Sequence, residues 1–266
     1  MIKSALTIAG SDSGGGAGIQ ADLRTFAFYC VHGASAITCI TAQNTIGVTH
    51  VVAIEPAIVA AQIEAVMSDL AVQAVKTGML LNQGIMETVA AQIEKWGITQ
   101  LVVDPVMVSR TGVQLIDDQG IAYLQNALIP RALLVTPNRF EAQLLSGIEI
   151  KTIEEMQLSA QKIWQKGAKN VLVKGGGLTG TLKGVDVWFD GENYETLTTE
   201  KIETKNTHGT GCTLAAAITA NLTLGKDLKT AVIDAKNYVT TALKYSLDIG
   251  QGTGPVGHFF PLKQSH

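Results

Sequence analysis

Short apolar runs alternate with segments of helical periodicity along the chain, and this alternation restricts the fold more than any single motif does. Residues 5–9, 36–41, 74–77, 101–103, 133–136 and 171–174 read as strands. Residues 18–28, 56–70, 84–96, 120–128, a segment from Asn138 and residues 152–166 read as helices. The 56–70 helix opens on Pro56, whose fixed φ suits a first turn, and its Ile58, Val59, Ile63 and Val66 recur at helical spacing. Gly97 and Gly167 stand where two helices should stop. Residues 48–54 form a further strand, and 185–189 and 194–198, joined by Asp190-Gly191, form a hairpin. Residues 212–224 and 228–246 are closing helices. Such a pattern implies an α/β fold with a mostly parallel sheet covered on both faces. No linker, repeat or low-complexity tract divides the 266 residues, so one domain over 1–266 is expected. Aromatic residues are only 5% of the chain, which leaves Ala, Val, Ile and Leu to fill the core.

In open α/β sheets ligands bind beyond the carboxyl ends of the strands. Gly10, Gln43, Gly78, Asp104, Asn138 and Lys174 all fall at such ends. The most telling segment is Asn206-Thr207-His208-Gly209-Thr210-Gly211-Cys212, a Gly-rich turn running into an apolar helix. A helix N-terminus has unpaired N–H groups and favours anions, and Gly209 and Gly211 permit close backbone approach. The turn is therefore a candidate phosphate site, with Cys212 facing it as nucleophile, base or orienting group, its thiol expected to be lowered by the helix N-terminus. Taken alone, Cys212 reads equally as a small buried residue. His208 reads as an acid or base, or as a structural side chain.

Other constellations keep two readings each. Asp104-Pro105 is a turn initiator, or a carboxylate that holds Mg²⁺ directly or through water. Asn138 and Glu141 are spaced for a capping box, and the same pair can serve an Mg²⁺–phosphate site. Lys174-Gly175-Gly176-Gly177 places an ammonium group where it meets nucleotide phosphates or, alternatively, solvent. Gly16, Gly18 and Ala21 match a dinucleotide fingerprint, but the next strand ends in Gln43-Asn44 with no acidic residue to hold a ribose. No G-x-x-x-x-G-K-[ST] run occurs, which excludes a P-loop NTPase.

A formal net charge of −3 gives no electrostatic case for nucleic acid. Cys30, Cys39 and Cys212 form no C-x-x-C pair and suit a reducing cytoplasm. The N-terminal apolar run is too short for a signal peptide, and the uncharged stretch 33–54 is broken by Gln43, Asn44, Thr45 and His50, so no membrane span is expected.

Taken together, the motifs resemble the ribokinase-like superfamily, and within it the hydroxymethylpyrimidine/phosphomethylpyrimidine kinases of thiamine biosynthesis. The resemblance rests on Ala5-Leu6-Thr7-Ile8-Ala9-Gly10-Ser11-Asp12, Gly14 through Asp22, Thr41-Ala42-Gln43-Asn44-Thr45 and Lys76-Thr77-Gly78-Met79-Leu80. It continues through Asp104-Pro105-Val106-Met107, Thr136-Pro137-Asn138 with Glu141, Val173-Lys174-Gly175-Gly176 and Lys205 to Cys212. It implies a three-layer αβα sandwich, a homodimer, and phosphoryl transfer from ATP with Mg²⁺ to a small pyrimidine and then to its monophosphate. Most of the superfamily has Asp where this chain has Cys212. The resemblance further implies Gln43, Asp22, Gly10, Met79 and Val106 around the pyrimidine, and Asn138, Lys174 and Thr207 at the nucleotide. Asp104 and Glu141 would serve the metal, and Gly209, Thr210, Gly211 and Cys212 the transferring phosphoryl group. An amide at Gln43 suits an aminopyrimidine edge, since it offers a donor and an acceptor. A kinase with no fused synthase domain is expected. Pyridoxal kinase shares these motifs and is the alternative; a non-catalytic vitamin sensor is a further one.

Overall fold

The computed structural model describes residues 2–107, 116–176, 178 and 180–263; Gly177, the last glycine of the Lys174 loop, lies outside them. The elements are β1 (Ser4–Asp12), α1 (Gly18–Phe28), β2 (His32–Gln43), β3 (Val48–Ala53), α2 (Pro56–Asp69), β4 (Val72–Thr77), α3 (Gln83–Lys95) and β5 (Leu101–Val103). They continue with α4 (Asp118–Tyr123), β6 (Leu134–Val135), α5 (Arg139–Ser146), α6 (Ile153–Trp164), β7 (Val171–Val173), β8 (Asp186–Phe189) and β9 (Tyr194–Leu197). The chain closes with α7 (Thr210–Thr223), α8 (Leu228–Lys244) and the short α9 (Phe260–Lys263).

The strands form one sheet in the order β3-β2-β1-β4-β5-β6-β7-β8-β9. The run from β2 to β7 is parallel, while β3, β8 and β9 add antiparallel edges. Strand alternation sorts the two faces. Leu6, Ile8, Val75, Leu101, Val103, Val135 and Val171 pack with Val59, Ile63, Ile85 and Met156 from α2, α3 and α6. Ala74, Val102, Leu134 and Leu172 face the other way, onto Leu214, Ala217 and Ile218 of α7 and Val232 and Ala235 of α8. Residues Thr213–Thr223 of α7 are all buried. Ala215, Ala216, Ala217 and Ala220 let that helix lie against α1, α8 and the sheet at once. The result is a three-layer αβα arrangement.

Some boundaries differ from the sequence expectation. β1 runs on past its apolar core to Asp12 because parallel pairing continues through Ser11 and Asp12 after an irregularity at Ala9/Ser11, and β2 runs on to Gln43 because antiparallel pairing with β3 extends it. Residues 120–128 split into α4 and a π-helical turn, Leu124–Leu128. α7 starts at Thr210, two residues earlier than expected, because Gly209 caps it.

β1 has β2 on one side and β4 on the other. The chain leaves β1 in one direction and later continues from β4 in the opposite one, which opens a crevice at their carboxyl ends. Ile63 lies wholly buried where α2 crosses this part of the sheet. Ile63→Ala should lower unfolding stability by about 2–5 kcal/mol through lost burial and a residual cavity. Denaturant melts should show that loss, with the KM for substrate unchanged.

Candidate active site

Two glycine-containing segments meet over the crevice and interlock through their backbones. In the first, Asp12 at the end of β1 folds the loop over its own carboxylate. Gly14 donates to Oδ1 at 2.8 Å, and Gly16 and Ala17 donate to Oδ2 at 3.0 and 2.9 Å. In the second, Gly209 adopts φ 80° as the N-cap of α7. A Cβ there would lie 1.8 Å from the Gly16 carbonyl oxygen, so only glycine fits. His208 Nε2 stands 2.8 Å from Asp12 Oδ2 and joins the two segments by side chains as well. Burial pushes the Asp12 carboxyl up, but His208 and the backbone donors outweigh it and hold it below its ordinary value. Neither Asp12 nor the Asp12–His208 contact stood out in the sequence. The signal was the position of Asp12, two residues before the Gly14-Gly15-Gly16 run, where a short carboxylate caps a turn.

The first turn of α7 faces a cluster of charge. Lys174 Nζ lies 2.9 Å from Asp104 Oδ1. A Cβ placed on Gly211 would be 3.2 Å from Lys174 Nζ and 3.9 Å from Asp104 Oδ2. Asp104, Lys174 and Gly211 therefore converge, although they come from the ends of β5, β7 and the start of α7. Glu141 is buried beside them. It also closes a capping box: Asn138 N–H donates to Glu141 Oε2 at 2.7 Å, and Glu141 N–H donates to Asn138 Oδ1 at 3.1 Å. Burial, with the Asp104 charge, pushes the Glu141 carboxyl up to about 8 against the opposing pull of Lys174.

Beneath this cluster lies a pair that the sequence reading did not assemble. Lys76 and Asp22 are both completely buried, with Lys76 Nζ 2.7 Å from Asp22 Oδ2. Thr7 Oγ1 donates to the same carboxylate oxygen at 2.6 Å. Asp22, expected around the substrate ring, thus sits below the site with its carboxylate engaged by Lys76 and Thr7. The signal for Lys76 was a charged residue in the buried strand β4, which requires a buried partner. The Lys76 ammonium interacts electrostatically with Cys212 and Asp104. Cys212 accepts a hydrogen bond from Gly18 N–H. The expectation that a helix N-terminus lowers this thiol is corrected: burial, with Asp22 and Asp104 against Lys76, pushes it up to about 11.

Gly10, Met79, Gln43, Val106 and Thr207, the remaining expected residues, each have local partners. A Cβ on Gly10 would touch Cys39 Sγ and lie 3.1 Å from Met79 Cε, so Gly10 and Met79 are adjacent. Gln43 is anchored by Ser13, whose hydroxyl donates to its carbonyl and accepts from its N–H, both at 2.8 Å. Val106 is half-buried and shares a small cavity with Gly78, Leu80 and Asp104. Thr207 accepts at its carbonyl from the Thr210 hydroxyl at 2.7 Å, which tightens the turn before α7.

The model of the phosphomethylpyrimidine kinase family matches residues 12–257. The chain belongs to this family. It is 60% identical over 261 residues to the hydroxymethylpyrimidine/phosphomethylpyrimidine kinase of Synechococcus elongatus, covering 98% of this chain and 99% of that protein. Among solved structures it is similar to an ADP complex of Bacillus subtilis pyridoxal kinase, with TM-score 0.90 and 41% identity, over 97% of this chain and 98% of that one. A phosphomethylpyrimidine kinase from Clostridium difficile matches with TM-score 0.81 and 41% identity, over 91% of this chain and 100% of that one. The αβα sandwich is accordingly ribokinase-like, and the family is one of kinases.

Glu141 generates a pH prediction. Its folded value of about 8 exceeds its ordinary 4.5, so the fold binds the proton more tightly than the unfolded chain does. The stability this contributes is fully present below pH 4.5 and is lost as pH rises through about 8. Glu141→Gln removes the titration. From pH 5 to 8 the Tm of the unliganded wild type should fall further than that of Glu141→Gln, by about 3 °C or more.

Proposed function

We propose that the protein uses ATP to phosphorylate 4-amino-5-hydroxymethyl-2-methylpyrimidine to its monophosphate, and then phosphorylates that product to the diphosphate. It does so as one kinase domain in the cytoplasm, in thiamine biosynthesis. The observation that carries the reading is the convergence of the α7 N-terminus with Lys174, Asp104 and Glu141, beside a crevice reached by Gln43, Gly10 and Met79. Free N–H groups at the start of α7 hold the transferring phosphoryl group, and Lys174 meets its oxygens. Asn138 and Thr207 flank the nucleotide phosphates.

The donor set fits Mg²⁺. Among the described residues no group of three or more His, Cys, Asp or Glu side chains could hold a metal ion alone. Mg²⁺ commonly takes one or two carboxylates and completes its shell with water and phosphate oxygens. Asp104 and Glu141 provide two such carboxylates, whose mutual repulsion a cation relieves. Bound there, Mg²⁺ would neutralise charge on the β- and γ-phosphate oxygens.

In the first transfer the hydroxymethyl oxygen attacks the γ-phosphorus as the bond to the ADP oxygen breaks. Phosphoryl transfer passes through a loose transition state, so positioning and charge carry most of the catalysis. The hydroxyl proton leaves late, and the thiolate form of Cys212 takes it, becoming the thiol. In the second transfer the acceptor is an ionised phosphate and needs no base. The homodimer is supported by edge strand β3 and its surroundings, where Ile40, Ile46, Val48, Val51 and Val52 are exposed. Val52→Lys should shift the protein toward monomer in sedimentation.

ADP release should be measured with MgATP and each of the hydroxymethylpyrimidine, its monophosphate, pyridoxine and ribose. Turnover of both pyrimidines is expected; turnover of pyridoxine alone would move the assignment to vitamin B6 salvage, the reading suggested by the pyridoxal kinase likeness. Cys212→Ala should slow the first transfer about 10²-fold or more, with a smaller loss in the second. Its first-step rate should no longer climb with pH, as the wild type's should toward the thiol value of about 11. Gly211→Val should impair both steps, because its side chain enters the phosphoryl space.

A further inference from the structure

The hydrogen bonds around Gln43 determine more than where it stands. The Asp12 carboxylate, already accepting three backbone N–H groups, lies 2.8 Å from His208 Nε2. An ionised carboxylate only accepts, so His208 Nε2 carries a hydrogen and donates it. The Gln43 amide atom facing that same Nε2, at 3.3 Å, is placed as Nε2, which is also a donor. Two donors make no bond. At its other end the amide Oε1 lies 3.2 Å from Thr41 Oγ1. The single hydroxyl hydrogen of Thr41 is already directed at the Ser11 carbonyl, 2.9 Å away. That end of the amide therefore faces an acceptor as well.

Half a turn of the amide resolves both conflicts. Oε1 then shares the single His208 Nε2–H with Asp12 Oδ2 in a three-centre bond, and Nε2 donates to Thr41 Oγ1. The two ends of an amide have nearly the same shape, so hydrogen bonding decides its orientation. The partners themselves are held still. His208 N–H donates to the Gly254 carbonyl at 3.1 Å, and the His208 carbonyl accepts from Val256 N–H at 3.2 Å. A Cβ on Gly16 would fall 2.3 Å from His208 Cδ2, so the ring is packed onto the first loop.

We propose that His208 is a positioning residue for substrate specificity: the relay Asp12–His208–Gln43–Thr41–Ser11 locks the Gln43 amide in one orientation. The lock leaves one Oε1 lone pair and one Nε2 hydrogen to read a paired donor and acceptor. An amino group beside a ring nitrogen offers that pair; the pyridine ring of pyridoxine does not carry an amino group there. The proposal rests on the reading of Gln43 as the ring contact.

The test is steady-state kinetics with the hydroxymethylpyrimidine and with pyridoxine for His208→Leu and His208→Gln, each alone and combined with Gln43→Ala. His208→Leu should raise the pyrimidine KM about tenfold, the scale of one oriented hydrogen bond, with kcat within about twofold. Preference over pyridoxine should fall by the same factor. His208→Gln, whose amide N–H can stand in for the ring N–H, should retain most of the preference. In the Gln43→Ala background His208→Leu should add nothing further. Additive losses, or a fall in kcat at unchanged KM, would overturn the proposal while leaving Gln43 as the ring contact. A wild-type KM in Gln43→Ala would remove that contact and the proposal with it. Should His208→Leu not fold, Thr41→Val breaks the relay at its other end: a raised pyrimidine KM supports the proposal and an unchanged one overturns it.

Discussion

Gly209 and Gly16 touch through their backbones, and the geometry of the site follows from that contact. With φ at 80° and no Cβ, Gly209 brings the start of α7 against the Gly16 carbonyl. Any side chain at Gly209 would clash with that carbonyl and push the two segments apart. Because they are together, Gly18 N–H reaches Cys212, and His208 reaches Asp12. The free N–H end of α7 is then aimed at Lys174 and Asp104 across the crevice. One close approach between glycines thus sets the relative positions of the α7 turn, the Cys212 thiol and the Gln43 side of the crevice.

The charges around this contact are arranged in buried opposites. Lys76 lies on Asp22 below the floor, and Lys174 lies on Asp104 at the phosphate side, with Glu141 buried beside it. Burying such groups is costly, and breaking one of these pairs would cost about 3–5 kcal/mol because the survivor is left uncompensated. On the proposed reading the arrangement provides preorganisation, with donors and charges standing ready where negative charge would gather during transfer. The raised values of Glu141 and Cys212 reflect burial first and the neighbouring acidic groups second.

Much of the site was legible in the sequence because local chemistry at strand ends leaves a local trace. Glycine spacing at Gly209 and Gly211, the Asn138…Glu141 interval and Asp104-Pro105 each state what their own backbone does. Asn138 and Glu141 do form the capping box, and that box stands beside the candidate metal carboxylates rather than replacing them. Legibility failed where the partner was far away in sequence. Asp22 is separated from Lys76 by 54 positions, and His208 from Asp12 by 196, so no spacing rule connects either pair. The thiol of Cys212 was misjudged for the same reason: the helix end is a local feature, whereas Asp22, Asp104 and the burial that outweigh it are not.

The α/β class, the order of strands and helices, and the glycine turn that opens α7 are legible from the sequence alone. Hydrophobic period and glycine placement are local properties that the chain carries before it folds. That Lys76 and Asp22 pair below the site, that Lys174, Asp104 and Gly211 converge, and that His208 engages Asp12 and faces Gln43 emerge only in the folded chain. Those relations depend on where crossovers return each strand end, and on burial, which exists only once the two faces of the sheet are covered.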